Sequence, residues 1–116
     1  MKRGDLITIA VSGDYGKPWP ALVVQDDAFT ELPSVTVLQL TSDVREEHLV
    51  RITIQPDANN GLRKPSQIMI DRAMTVPRAK AGAVFGRLDA QAMETVNLAL
   101  LRFFGLGAQR TQFQAK

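Results

Sequence analysis

Apolar positions in this chain fall in short runs separated by Gly, Pro and Asp, and the period within each run decides the element it predicts. Leu6 to Val11 (LITIAV) is a β-branched run opened by Gly4-Asp5 and closed by Ser12-Gly13-Asp14, so it reads as a buried strand. Ala21 to Gln25 (ALVVQ) and Val35 to Leu40 (VTVLQL) read the same way, with the polar stretch from Asp26 to Ser34 as the turn region between them. From His48 to Ile54 the pattern alternates. Val50, Ile52 and Ile54 share one face and Leu49, Arg51 and Thr53 the other, as in a strand with one wet side. Gln67 to Ile70 (QIMI) is a short buried strand ending at Asp71, and Ala83 to Leu88 returns as a brief strand or turn.

A single segment has convincing helical spacing. Asp89 is a good N-cap, Met93, Val96, Leu100 and Phe103 fall at i, i+3, i+7 and i+10, and Gly105 is a good stop, so one apolar stripe is expected to pack on the sheet. Gly13 to Pro20 (GDYGKPWP) holds two Gly, two Pro and two large aromatics and is expected to be a loop; Pro56 to Pro65, with Asn59-Asn60-Gly61, is a second. Residues 106–116 carry no pattern and are expected to be a frayed tail after a single domain spanning 1–105. The sum is a mainly β fold of the α+β kind: five to seven short strands in a small barrel or half-open sheet, with one late helix laid against it.

Composition narrows the chemistry. At 116 residues the chain fits one domain, and with no Cys it cannot build a thiolate metal site, a catalytic thiol or a disulfide framework. His48 is the sole imidazole, which excludes a mechanism that needs two and leaves acid–base work to carboxylates, hydroxyls and cations. The net charge of +2 announces no partner, but residues 1–59 hold 5 basic and 9 acidic side chains whereas residues 60–116 hold 9 and 3. A polyanion or an acidic peptide is therefore expected to dock on the second half, unless the two halves interleave in space and the asymmetry averages out. No apolar run approaches the ~20 residues of a membrane span and no secretory h-region follows Met1, so the chain reads as soluble and cytoplasmic.

An ordered set of short motifs then stands out: Lys2-Arg3-Gly4-Asp5, Gly16-Lys17-Pro18, Pro20-Ala21-Leu22-Val23-Val24-Gln25, Leu40-Thr41-Ser42, Gly61-Leu62-Arg63-Lys64-Pro65-Ser66, Asp71 with Thr75-Val76, and Gly86-Arg87-Leu88-Asp89 before the helix. In this order and spacing they resemble the MazF/PemK family of toxin ribonucleases from type II toxin–antitoxin modules, over roughly residues 2–105. The resemblance implies an SH3-like barrel that forms a homodimer. It implies cleavage of single-stranded RNA by attack of a ribose 2′-hydroxyl on the neighbouring phosphate, with neither metal nor cofactor. It also implies an antitoxin whose acidic segment lies over the RNA groove.

Carried over residue by residue, Thr41 matches the family's active-site Thr, with a proton-transfer or phosphate-orienting role; read alone, it is a strand-end hydroxyl bonded to backbone. Asp71 matches an acidic residue of PemK-like members, or else caps a turn, and Asp14 lies near a loop acid of other members. The family's catalytic Arg directly before Pro-Ala-Leu-Val is here Trp19, and a further family Arg two residues before the Asp is here Met69. An indole carries no charge and one donor, so Trp19 cannot replace a bidentate guanidinium at a crowded phosphorane. Three consequences stay open: a chain crippled for catalysis, a cation supplied instead by Lys17, Arg72 or Arg3, or a Trp19 that stacks an RNA base; as a plain residue it would pack on the barrel. Arg3, Lys17, Trp19, Ser42, Arg63, Lys64 and Arg72 are the candidate RNA contacts, and Arg78 and Lys80 are solvated cations that could meet phosphate or antitoxin carboxylates. His48 reads as a solvated strand start rather than a general base. The rival classes are a binding toxin of the same fold that poisons gyrase, disfavoured by the absence of a Trp near the C-terminus, and a non-catalytic SH3-like module.

Overall fold

The structure, a computed structural model, describes residues 1–10, 17–46 and 49–107. Six strands follow one another as β1 (Asp5–Ala10), β2 (Pro18–Val23), β3 (Ser34–Thr41), β4 (Arg51–Ile54), β5 (Ser66–Pro77) and β6 (Ala81–Arg87), and helix α1 (Ala90–Phe103) closes the chain. They form one antiparallel sheet in the order β4-β5-β3-β2-β1-β6. Because successive side chains of a strand point to opposite faces, the apolar runs divide into two clusters. Leu6, Leu22, Leu38, Leu40, Ile68 and Ile70 pack with Leu88 and with Val96 of α1; Ile7, Ile9, Ala21, Val23, Val35, Val37 and Val76 form the second cluster.

Several boundaries differ from the expectation: β2 ends at Val23 rather than Gln25, β4 begins at Arg51 and β6 at Ala81, and two differences are larger. The strand expected to stop at Asp71 runs on to Pro77, because β5 carries a bulge: Leu40 pairs with Ile68 and Leu38 with Ala73, so Met69, Ile70, Asp71 and Arg72 stand against Gln39 alone. The extra residues break the two-residue period and put Asp71, Arg72 and Ala73 in solvent, which hides the second half of the strand from pattern reading. The expected loop also ends early. Pro18, Trp19 and Pro20 belong to β2 and pair with Ala10, Ile9 and Thr8, while the ladder to β3 begins only at Ala21, past the prolines that have no N–H to give it. Asp14, and the other loop residues up to Gly16, lie outside the described residues, as do His48 and the tail from 108 onward.

Helix α1 starts and stops where its caps place it. The Asp89 carboxylate accepts the Ala92 N–H at 2.7 Å. Gly105 takes φ 71°, and the N–H groups of Leu106 and Gly105 donate to the Leu101 and Arg102 carbonyls, a Schellman ending that Gly tolerates best. Met93, Val96 and Leu100 pack on the sheet with Ala92 and Ala99, but Phe103 does not complete the stripe: it is 48% exposed and edges an open cleft against Leu49, Val50 and Ile52. No helix among the described residues is long and apolar enough to cross a membrane.

Candidate functional site

Strand register assembles the site at the end of the sheet where β2 begins and β3 ends. Ile9 pairs with Trp19, Thr41 with Gln67, and Gln67 in turn with Thr53. The last β2–β3 pair is Ala21 with Gln39, so Trp19 and Thr41 each lie two residues past the end of that ladder and on the same face by alternation. One face of the sheet thus presents a row of Ile9, Trp19, Thr41, Gln67 and Thr53. Lys17, exposed just before β2, falls on the side of Trp19 by alternation, and Ser42 is exposed just after Thr41.

Gln67, 2% exposed, holds this end together. Its Oε1 accepts from the Arg45 N–H at 3.0 Å and from Arg51 Nη1 at 3.1 Å, while its Nε2 donates to the Arg45 carbonyl at 2.7 Å and to Thr53 Oγ1 at 3.1 Å. All four hydrogen-bonding positions of the amide are used, which is what makes its burial tolerable. The loop after β3 is folded onto this amide. Arg51 Nη1 also donates to the Asp43 carbonyl at 3.1 Å, and the Asp43 N–H donates to Thr41 Oγ1 at 3.1 Å. Thr41 therefore does act as a turn hydroxyl, but it does so as an acceptor, and its own O–H remains a donor it can turn outward. Arg45 is pinned to the Asp43 carboxylate through Nε and Nη2, an exposed pair of small net value.

The remaining candidates scatter. Trp19 is half-buried against the Ile7, Ile9 and Val37 cluster, so packing is part of its role whatever else it does. Asp71 and Arg72 are exposed on the β5 bulge and make no side-chain hydrogen bond or ion pair among the described residues. Met69 is buried, directly across from Arg51 on β4. Arg63 and Lys64 are exposed in the loop before β5, whose shape is set by buried Asn60: its Oδ1 accepts the Asp57 and Leu62 N–H groups and its Nδ2 donates to the Gln55 carbonyl. Arg3 lies at the other end, before β1, where its Nε donates to the Val24 carbonyl at 2.8 Å; the structure does not bring it to Trp19. Arg78 is likewise engaged away from the row, with Nε on the Leu32 carbonyl, and Lys80 is exposed before β6. Gln67 and Arg51 were missed as site residues by sequence reasoning. The only signals were a polar residue heading a buried strand and an Arg on the wet face of the alternating run.

A six-stranded antiparallel sheet with a C-terminal helix packed on it defines the class as a small SH3-like barrel. Residues 2–104 match the family described as the PemK-like, MazF-like toxin of type II toxin–antitoxin systems, and the chain belongs to that family. Its relatives include a probable endoribonuclease MazF from Mycolicibacterium smegmatis, 43% identical over 107 residues that cover 91% of this chain and 98% of the relative. The Mycobacterium tuberculosis toxin MazF-mt6 superposes with a TM-score of 0.76 at 25% identity, covering 89% of this chain and 98% of that one. A mycobacterial endoribonuclease solved with its cognate antitoxin shares the fold at a TM-score of 0.78, with 20% identity over 92% of this chain and 97% of that one.

Proposed function

We propose that this chain is a cytoplasmic endoribonuclease toxin that cuts single-stranded RNA without metal or cofactor, acts as a homodimer and is held in check by an acidic antitoxin. What supports the reading is one face of the sheet on which Thr41 pairs with Gln67 and Trp19 pairs with Ile9, with Lys17 exposed just before Trp19. In the reaction, the ribose 2′-hydroxyl gives up its proton, its oxygen bonds to the adjacent phosphorus, and the bond to the 5′-oxygen breaks as that oxygen takes a proton. The products are a 2′,3′-cyclic phosphate and a 5′-hydroxyl. The chain's task is to align the hydroxyl and stabilise the extra charge of the phosphorane, for which hydroxyls and guanidinium groups suffice.

Trp19 sets the level of activity. A missing preorganised donor typically costs about 10²–10³ in rate, so this chain is a weakened nuclease relative to a form with Arg at that position. Binding functions are spared, since antitoxin contact is spread over a groove rather than one side chain. For dimer formation, Leu98, Leu101, Phe104 and Leu106 expose an apolar face at the end of α1, a kind of surface that monomers seldom leave open. The test is incubation of a long, 5′-labelled single-stranded RNA with micromolar protein in EDTA. Fragments ending in a cyclic phosphate are expected; intact RNA at single-turnover excess contradicts the reading.

A further inference from the structure

We infer that Gln67 is a positioning residue for Thr41, setting the direction of the Thr41 hydroxyl through the turn that follows β3; the inference rests on the ribonuclease reading of the same face. Thr41 and Gln67 are direct cross-strand partners, so their side chains share one face of the sheet. The amide reaches the hydroxyl by way of the turn. Its Oε1 accepts the Arg45 N–H at 3.0 Å and its Nε2 donates to the Arg45 carbonyl at 2.7 Å, so one side chain pairs with both backbone groups of a single residue, as a further strand would. Two residues back along the same turn, the Asp43 N–H donates to Thr41 Oγ1 at 3.1 Å. With Oγ1 held as an acceptor, its O–H is the donor left to face a phosphate. Amide, turn and hydroxyl are thus set before any RNA arrives, and a rotamer already chosen leaves less freedom to lose on binding.

The other contacts within the turn are weaker anchors. The Arg45 guanidinium binds the Asp43 carboxylate, but both side chains are more than half exposed, and such pairs contribute little. The bond from the Asp43 N–H to Thr41 is itself exposed, so water competes for both of its ends. Gln67 is 2% exposed at the head of β5, and its Nε2 also donates to Thr53 Oγ1 on β4, so the turn is tied to two strands at once. An apolar side chain would fill this buried place at no polar cost; what the amide adds is its hold on the turn.

The experiment measures single-turnover cleavage of unmodified single-stranded RNA by the parent chain, Gln67→Leu, Thr41→Val and the double variant, alongside binding of a fully 2′-O-methylated, non-cleavable RNA. Gln67→Leu is expected to cut about 10-fold more slowly than the parent while binding the methylated RNA within about threefold of it. In the Thr41→Val background the same substitution is expected to change the rate by less than about twofold, since a residue that acts through the hydroxyl has nothing to position once the hydroxyl is gone. In the free protein, the scalar couplings across Thr41 χ1 are expected to report one rotamer in the parent and averaging in Gln67→Leu, and they decide the matter where Thr41→Val falls below detection. Should Gln67→Leu fold poorly, Gln67→Met, closer to Gln in shape, takes its place in every arm. Equal fold losses in the two backgrounds, or Thr41 couplings unmoved by the substitution, overturn the inference while the nuclease reading stands. Failure of the parent chain to cut RNA removes both.

Discussion

At the scale of single residues, the site depends on a buried amide more than on any charged group. Gln67→Leu keeps the volume roughly but strips the Arg45 N–H, the Arg45 carbonyl, Arg51 Nη1 and Thr53 Oγ1 of their partner. A buried group left without its hydrogen bond costs about 1–3 kcal/mol, so a urea titration of Gln67→Leu is expected to show a loss of at least that size, with weakened cleavage as the loop detaches from Arg51. Thr41→Val separates chemistry from structure. It removes a hydroxyl that accepts one exposed N–H, so stability is expected to change by less than about 1 kcal/mol, whereas cleavage is expected to fall by about 10²-fold or more. The residue scale is also where the sequence was least complete. Trp19 and Thr41 were visible because each sits in a short local motif. Arg51 and Gln67 are 16 residues apart, and nothing local to either announces that β4–β5 pairing makes them one unit.

At the scale of elements, legibility follows period and capping. Helix α1 was readable to within a residue because Asp89 and Gly105 are both chemical stops, and β1 and β3 because their runs are rich in β-branched and apolar residues. β5 was half read, since its bulge opposite Gln39 moves the even-numbered residues from the cluster of Ile68 and Ile70 to that of Met74 and Val76, with exposed Asp71, Arg72 and Ala73 between them. β2 was shortened because two prolines in three residues argue against a strand, yet their missing donors are harmless where the β3 ladder has not begun. One close approach ties these elements to the loop that carries Arg63 and Lys64. A Cβ on Gly86 of β6 would overlap the Asn60 backbone, so Gly86→Ala is expected to lower stability by about 1–3 kcal/mol, measured as a shift of the urea midpoint with unchanged slope.

At the scale of the whole molecule, the charge imbalance between the halves of the chain takes on a different meaning. β5 and β6, from the basic half, flank β3 and β1 from the acidic half, so the halves interleave and no basic hemisphere results. The exposed cations that the proposed RNA reading can use are therefore local: Lys17 before β2, with Arg63 and Lys64 in the loop before β5. The apolar end of α1 is the matching feature for self-association. Leu101→Glu places a charge in that face and is expected to convert a dimer to a monomer in light scattering at micromolar concentration, leaving the circular dichroism of the fold intact.

On the proposed reading, Trp19 limits an otherwise working ribonuclease site. The most direct measurement is the single-turnover rate of RNA cleavage in EDTA by the parent chain and by Trp19→Arg. Measurable cleavage by the parent is expected, with a rate about 10²-fold higher in the variant, since one preorganised donor is restored at the phosphorane. Equal rates in the two proteins, or no cleavage by either, would contradict it.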